Sequence, residues 1–116
     1  MMQLNKAFKV MKKNNIIHRD LKLENILIKY NDKEKNSYTV KLADYGCSKK
    51  VESLTKDNLV SQKGTLQYMS PQILQNKEYT YKCDLWSIGI ILYKLYFNKF
   101  PFSEVISWNF IMKLMS

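Results

Sequence analysis

A chain of 116 residues holds one small domain or part of a larger one. Hydrophobic residues make up 46% and charged residues 25%, proportions that fit a globular protein and exclude an intrinsically disordered one. The 19 basic residues are 18 lysines and the single arginine Arg19, and with 10 acidic residues they give a formal net charge of +9. The lysines are scattered through every segment and form no stripe, so a solvated Lys-rich surface is favoured over a nucleic-acid or anionic-membrane partner. Two cysteines, Cys47 and Cys83, stand in no CxxC pair and beside no histidine. They exclude a disulfide framework, argue against zinc, and are expected to be free thiols of a cytoplasmic protein. The first ten residues contain no apolar core of a signal peptide. The longest apolar run, residues 85–97, is interrupted by Ser87 and Lys94 and falls short of the roughly 20 residues of a membrane span.

In chain order, Leu4, Ala7, Phe8 and Met11 recur at helical spacing and predict an amphipathic helix over residues 4–13, ended by Asn14-Asn15. Residues 26–30 and the alternating residues 39–43 (TVKLA) read as two strands. The polar stretch 31–37 between them makes a hairpin with a loop of about eight residues. Over residues 46–68 no period persists, and an irregular stretch of that length inside a domain is usually functional or disordered. Pro71 opens a short helical turn, and residues 84–97 predict a strong helix. Ser103 is placed to cap a last helix running to residue 115. The 84–97 helix is apolar over nearly its whole circumference, which demands burial on all sides. Two or three other helices and one hairpin hardly suffice to wrap it, so the chain reads as the inside of something larger.

The chemistry lies between these elements. His18-Arg19-Asp20-Leu21-Lys22-Leu23-Glu24-Asn25 matches the pattern H-R-D-L-x-x-x-N at every fixed position. Asp44-Tyr45-Gly46 follows the second strand. Gly64-Thr65, Tyr68-Met69-Ser70-Pro71-Gln72 and Asp84-Leu85-Trp86-Ser87-Ile88-Gly89 come next. Their order and spacing resemble those of the protein kinase family, where the same places hold D-F-G, GT, Y-x-A-P-E and D-x-W-S-x-G. The resemblance covers about residues 4–110. It implies an α+β fold: the mainly helical C-terminal lobe of a kinase with a short β-hairpin, incomplete and without its N-terminal lobe. Within a partial kinase domain over residues 1–116, it places the catalytic loop at 18–25, the activation segment at 44–72 and the central helix at 84–97.

Phosphoryl transfer asks a protein mainly for positioning and charge neutralisation. By resemblance, Asp20 orients or accepts the proton of the substrate hydroxyl. Asn25 and Asp44 look like ligands of Mg2+ and, with Lys22, like the groups that hold ATP. Lys22 resembles the lysine that serine/threonine kinases set against the transferring phosphate, and Thr65 the hydroxyl that keeps Asp20 and Lys22 in register. The implied reaction is ATP-dependent phosphorylation of serine or threonine on protein substrates. Arg19 and Ser61 form a candidate switch, because a phosphate on Ser61 could dock on the guanidinium; Ser53 and Thr55 are weaker candidates for the same role. Asp84 resembles a structural anchor for the catalytic loop. His18 and Tyr45 resemble members of the apolar stack between lobes, where a buried Tyr45 hydroxyl would need a partner.

Two departures stand out. Gln72 replaces the glutamate of A-P-E, and a neutral amide cannot make the ion pair expected there. The glycine-rich loop, strand lysine, helix glutamate and hinge of a complete kinase have no counterpart in these residues. The chain alone is therefore expected to be inactive and to work with an N-terminal lobe in cis. The alternative is a catalytically inactive kinase-lobe fragment acting as a protein-interaction module. The runs YMSPQIL and DLWSIGIILY suggest the Unc-51-like or calcium/calmodulin-dependent groups.

Overall fold

The apolar stripe near the N-terminus forms the first helix, α1 (Met2–Lys13). In the computed structural model, which describes residues 2–32, 35–54, 59–61, 63–102 and 113, Leu4, Ala7, Phe8 and Met11 form its less exposed face. Lys12 and Lys13 stand in its last turn, where cations complement the helix dipole. Asn15 ends it in the left-handed region at φ 54°, a conformation asparagine tolerates. The helix expected over 103–115 lies outside the described residues, apart from Lys113, as does Thr55.

Strands β1 (Ile16–Ile17), β2 (Ile26–Asp32), β3 (Ser37–Leu42) and β4 (Lys49–Lys50) make two antiparallel two-stranded sheets, β1 with β4 and β2 with β3. The hairpin is longer than its apolar residues suggest. Asp32 pairs with Ser37 past an irregularity between Tyr30 and Asp32, so the connection is shorter than the eight-residue loop expected. Polar Asn31 and Asp32 extend the ladder because backbone pairing does not depend on side-chain hydropathy, and Asn31 also bonds Thr39 across it at 2.9 Å. The side-chain amide of Gln3 on α1 donates to the Tyr38 carbonyl (3.0 Å) and accepts from Val40 N–H (2.7 Å). It thereby occupies the outer edge of β3, which would otherwise present unpaired groups.

After a single 3₁₀ turn at Leu66–Tyr68 come α2 (Pro71–Leu74) and α3 (Lys82–Phe97). The last begins two residues before the expected Asp84. Two apolar clusters form the core. Ile17, Val51, Leu59, Ile73, Tyr79 and Cys83 make one, and Leu21, Tyr68, Ile90 and Ile91 make the other. Ile17 and Leu21 are essentially inaccessible, and they fix both ends of the segment His18-Arg19-Asp20 into different clusters. α3 joins the two, giving Cys83 to the first and Ile90 and Ile91 to the second.

Complete burial of α3 does not occur. Leu85, Leu92, Leu95, Tyr96 and Phe97 are exposed, because the described elements pack against only part of its circumference. Both cysteines are free, Cys83 buried and Cys47 partly so. Burial, reinforced by the neighbouring Asp84 carboxyl, pushes the Cys83 thiol far above its ordinary range, so it stays protonated and unreactive. A thiol reagent is accordingly expected to titrate Cys47 alone in the native chain and both thiols after denaturation.

Candidate active site

The site is built on backbone held in unusual places. Arg19 and Asp44 both have positive φ, 68° and 58°. Left-handed backbone at such residues costs of order 1–3 kcal/mol and persists only where the surroundings over-determine it. At Arg19 the constraint is Asp84. Its Oδ2 accepts the His18 N–H at 2.8 Å and its Oδ1 the Arg19 N–H at 2.9 Å. Burial pushes the Asp84 carboxyl above the usual carboxylate range, and the two N–H donors pull against that shift. The carboxylate sits in the first turn of α3, where helix geometry favours an acid.

Three side chains converge beyond this clamp. Thr65 Oγ1 donates to Asp20 Oδ1 at 2.7 Å and accepts from Lys22 Nζ at 2.9 Å. Lys22 Nζ also lies 3.3 Å from Asp20 Oδ2. The triangle is closed: one hydroxyl bridges an acid and a base that already face each other. Asp20 is 8% exposed, enough for one face of the carboxylate to remain accessible. Gly64 brings Thr65 this close. It adopts φ 117°, and a Cβ there would overlap the Arg19 carbonyl.

The hairpin delivers the other two oxygen donors. Asn25 immediately precedes β2, and Asp44 lies two residues past β3. Ile26 pairs with Leu42, and Ala43 N–H donates to the Asn25 carbonyl at 2.8 Å, so both residues fall at the same end of the sheet. Asn25 is buried and donates Nδ2 to the Asp20 carbonyl (2.9 Å), which turns its amide oxygen into the remaining polar end. Asp44 is exposed and gives one oxygen to the Gly46 N–H at 3.2 Å. An amide oxygen and a carboxylate are hard donors of the kind Mg2+ takes alongside waters and substrate phosphates. Among the described residues no three His, Cys, Asp or Glu side chains cluster, so a softer, all-protein metal site has no candidate.

His18 couples the two halves. Its Nε2 faces the Ala43 carbonyl at 3.2 Å and its Nδ1 accepts the Asp20 N–H at 3.3 Å, a pattern that assigns the proton to Nε2. Its ring lies 4.9 Å from that of Tyr45, centroid to centroid. Tyr45 is 44% exposed. Arg19 Nη1 reaches Ser61 Oγ at 3.0 Å, so the structure brings both residues of the expected switch together.

Several contacts are not specified by the motifs alone. Ser87 Oγ, inside α3, lies 2.8 Å from the Tyr68 carbonyl and 3.2 Å from that of Cys83. Tyr79 meets Ser61 through its hydroxyl. The close approach of Gly64 to Arg19 also stays invisible until the chain is folded, although a glycine beside a motif threonine hints at it.

Sequence comparison identifies the family to which these elements belong. The description "Protein kinase domain" matches residues 1–116, and the chain belongs to the protein kinase family, whose members are ATP-binding transferases. It is 39% identical over 107 residues to serine/threonine-protein kinase PRR1 of Saccharomyces cerevisiae, covering 83% of this chain and 20% of that one. It is 37% identical over 102 residues to an Aurora kinase of Yarrowia lipolytica (88% and 25%). It is 38% identical over 103 residues to serine/threonine-protein kinase ATG1b of Arabidopsis thaliana (89% and 14%). The chain thus spans a quarter or less of the length of these relatives. No helix among the described residues is long and apolar enough to cross a membrane.

Proposed function

We propose that these residues work as the C-terminal lobe of a longer kinase domain that phosphorylates serine or threonine on proteins, using ATP and Mg2+. The observation that carries this reading is the closed triangle of Asp20, Lys22 and Thr65. Asp20 takes the substrate hydroxyl's proton on the carboxylate oxygen turned to the acceptor. Lys22 supplies positive charge where the transferring phosphoryl group carries its negative charge, and Thr65 fixes the distance between them. Asn25 and Asp44 hold Mg2+, which, when bound, neutralises phosphate charge. Asp84 anchors the catalytic loop, and His18 with Tyr45 forms its contact toward the N-terminal lobe. A phosphate on Ser61 docks on Arg19 and regulates the activation segment, residues 44–72. The free thiols fit a cytoplasmic protein.

Acceptor preference tests the reading. A protein carrying these residues below an N-terminal lobe should transfer phosphate to a serine peptide and not to its tyrosine counterpart, and Asp44→Asn should abolish transfer. Tyrosine as the preferred acceptor would overturn the assignment. Thr65→Val is expected to lower kcat by about 10- to 100-fold with little change in stability, because it frees Lys22 and Asp20 from each other's register. Thr65→Ser should restore most of the rate.

The exposed apolar face of α3 favours a second role for the 116-residue chain alone, as a non-catalytic module that binds kinase partners. In that form it should bind no MgATP and transfer no phosphate; measured turnover would exclude the second role as its sole function.

A further inference from the structure

Arg19 is the only arginine in the chain, and each of its three guanidinium nitrogens donates one hydrogen bond within the chain. Nε donates to the Cys47 carbonyl (2.6 Å), Nη2 to the Ser48 carbonyl (3.4 Å) and Nη1 to Ser61 Oγ (3.0 Å). Its backbone N–H is held by Asp84. The catalytic loop and the segment after Gly46 are therefore already joined while Ser61 is a plain serine.

Ser61 would be a weak partner if it were free to turn, since a serine hydroxyl on a loop has three rotamers and ready access to water. It is not free. The Tyr79 hydroxyl donates to the Ser61 carbonyl at 2.7 Å and lies 3.1 Å from Ser61 Oγ, so one phenol grips the residue at backbone and side chain. Tyr79 is itself only 4% exposed, packed in the core beside Ile17, Val51 and Cys83. Leu59 N–H donates to the Tyr79 carbonyl (2.9 Å) and Tyr79 N–H to the Leu59 carbonyl (3.0 Å), a backbone bridge two residues before Ser61. A rigid core residue thus holds the loop residue that holds Arg19.

We propose that Tyr79 is a positioning residue: through Ser61 its hydroxyl keeps the Arg19 guanidinium, and with it the catalytic loop, docked on the activation segment in the unphosphorylated protein. This rests on the kinase reading for its significance. Its consequence is that phosphorylation of Ser61 exchanges one docked arrangement of that residue for another.

The test uses nitrogen-15 spectra of the 116-residue chain. A lone arginine gives a single side-chain Nε–H signal, which reports directly on the contact with Cys47. In Tyr79→Phe, which keeps the ring and loses the hydroxyl, exchange of that Nε–H and of the Leu59 backbone amide should accelerate about fivefold to tenfold, the effect of one net hydrogen bond. The bonds of Arg19 and of the Tyr79 hydroxyl meet at Ser61, so a packing role confined to Tyr79 would leave the Nε–H signal where it was. In Ser61→Ala the Nε–H should loosen while the Leu59 amide stays protected, because the Tyr79 bond to the residue-61 carbonyl survives. An unchanged Arg19 signal in Tyr79→Phe overturns the proposal. If Tyr79→Phe does not fold, Ser61→Ala decides it in the same way: an unchanged Arg19 signal overturns the bridge. No phosphotransfer enters the measurement, so its failure is distinct from a failure of the kinase reading, which the peptide assay reports.

Discussion

Gly64→Ala is expected to destabilise the chain by roughly 2–6 kcal/mol, the sum of left-handed backbone strain at a non-glycine residue and a steric overlap that something must relieve. The reason is local and double. Gly64 sits at φ 117°, which side-chain-bearing residues rarely adopt, and its missing Cβ leaves room for the Arg19 carbonyl. The atom in the way is backbone, so no side chain can swing aside. Relief must come from moving Gly64 away from Arg19, which carries Thr65 off Asp20 and Lys22, or from moving Arg19, which breaks its bond to Asp84. Urea unfolding of the two chains measures the stability loss. In a complete kinase domain the same change should abolish phosphotransfer.

Asp84→Ala should cost about 3 kcal/mol, because it leaves two N–H donors, the buried one of His18 and the partly buried one of Arg19, without an acceptor. Relief from burying a carboxylate offsets part of the loss, since burial already pushes Asp84 toward its protonated form. Asp84→Asn retains one acceptor oxygen and should lose about half as much. The positive φ of Arg19 makes the consequence functional as well as structural. Without the clamp, Arg19 relaxes toward ordinary backbone angles, and Asp20 next to it turns away from Thr65. Comparing unfolding curves of the three chains separates the two: Ala below Asn below the parent. Equal stability of all three would remove Asp84 as the anchor.

Much of this was legible in the sequence because it rested on periodicity or on dense motifs. The stripe Leu4, Ala7, Phe8 and Met11 makes the less exposed face of α1, and a hairpin, a Pro71 turn and a long α3 form close to where the apolar pattern places them, with shifted ends. The residues of the catalytic-loop motif and Thr65 fall within hydrogen-bonding reach of one another. What escaped has physical causes. Strands β1 and β4 are two residues each, too short for an alternation to show. Polar residues prolonged the hairpin because ladders are built from backbone. Hydropathy implied a wholly buried α3, but burial depends on how much chain is present to cover it, and Leu95 and Tyr96 remain exposed. Tyr79 gave no hint, since its role arises from the fold bringing Leu59 and Ser61 to a residue well after them in sequence.

The most direct measurement is transfer of the γ-phosphate of ATP to a serine peptide by a complete kinase domain carrying these residues, with and without Asp20→Asn. The amide can still accept from Thr65, so the fold should hold, while the group proposed to take the hydroxyl proton is gone. A fall in kcat of about 10²- to 10⁴-fold with little change in KM for ATP is expected. An Asp20→Asn protein that transfers phosphate at the parent rate would contradict the assignment of this site.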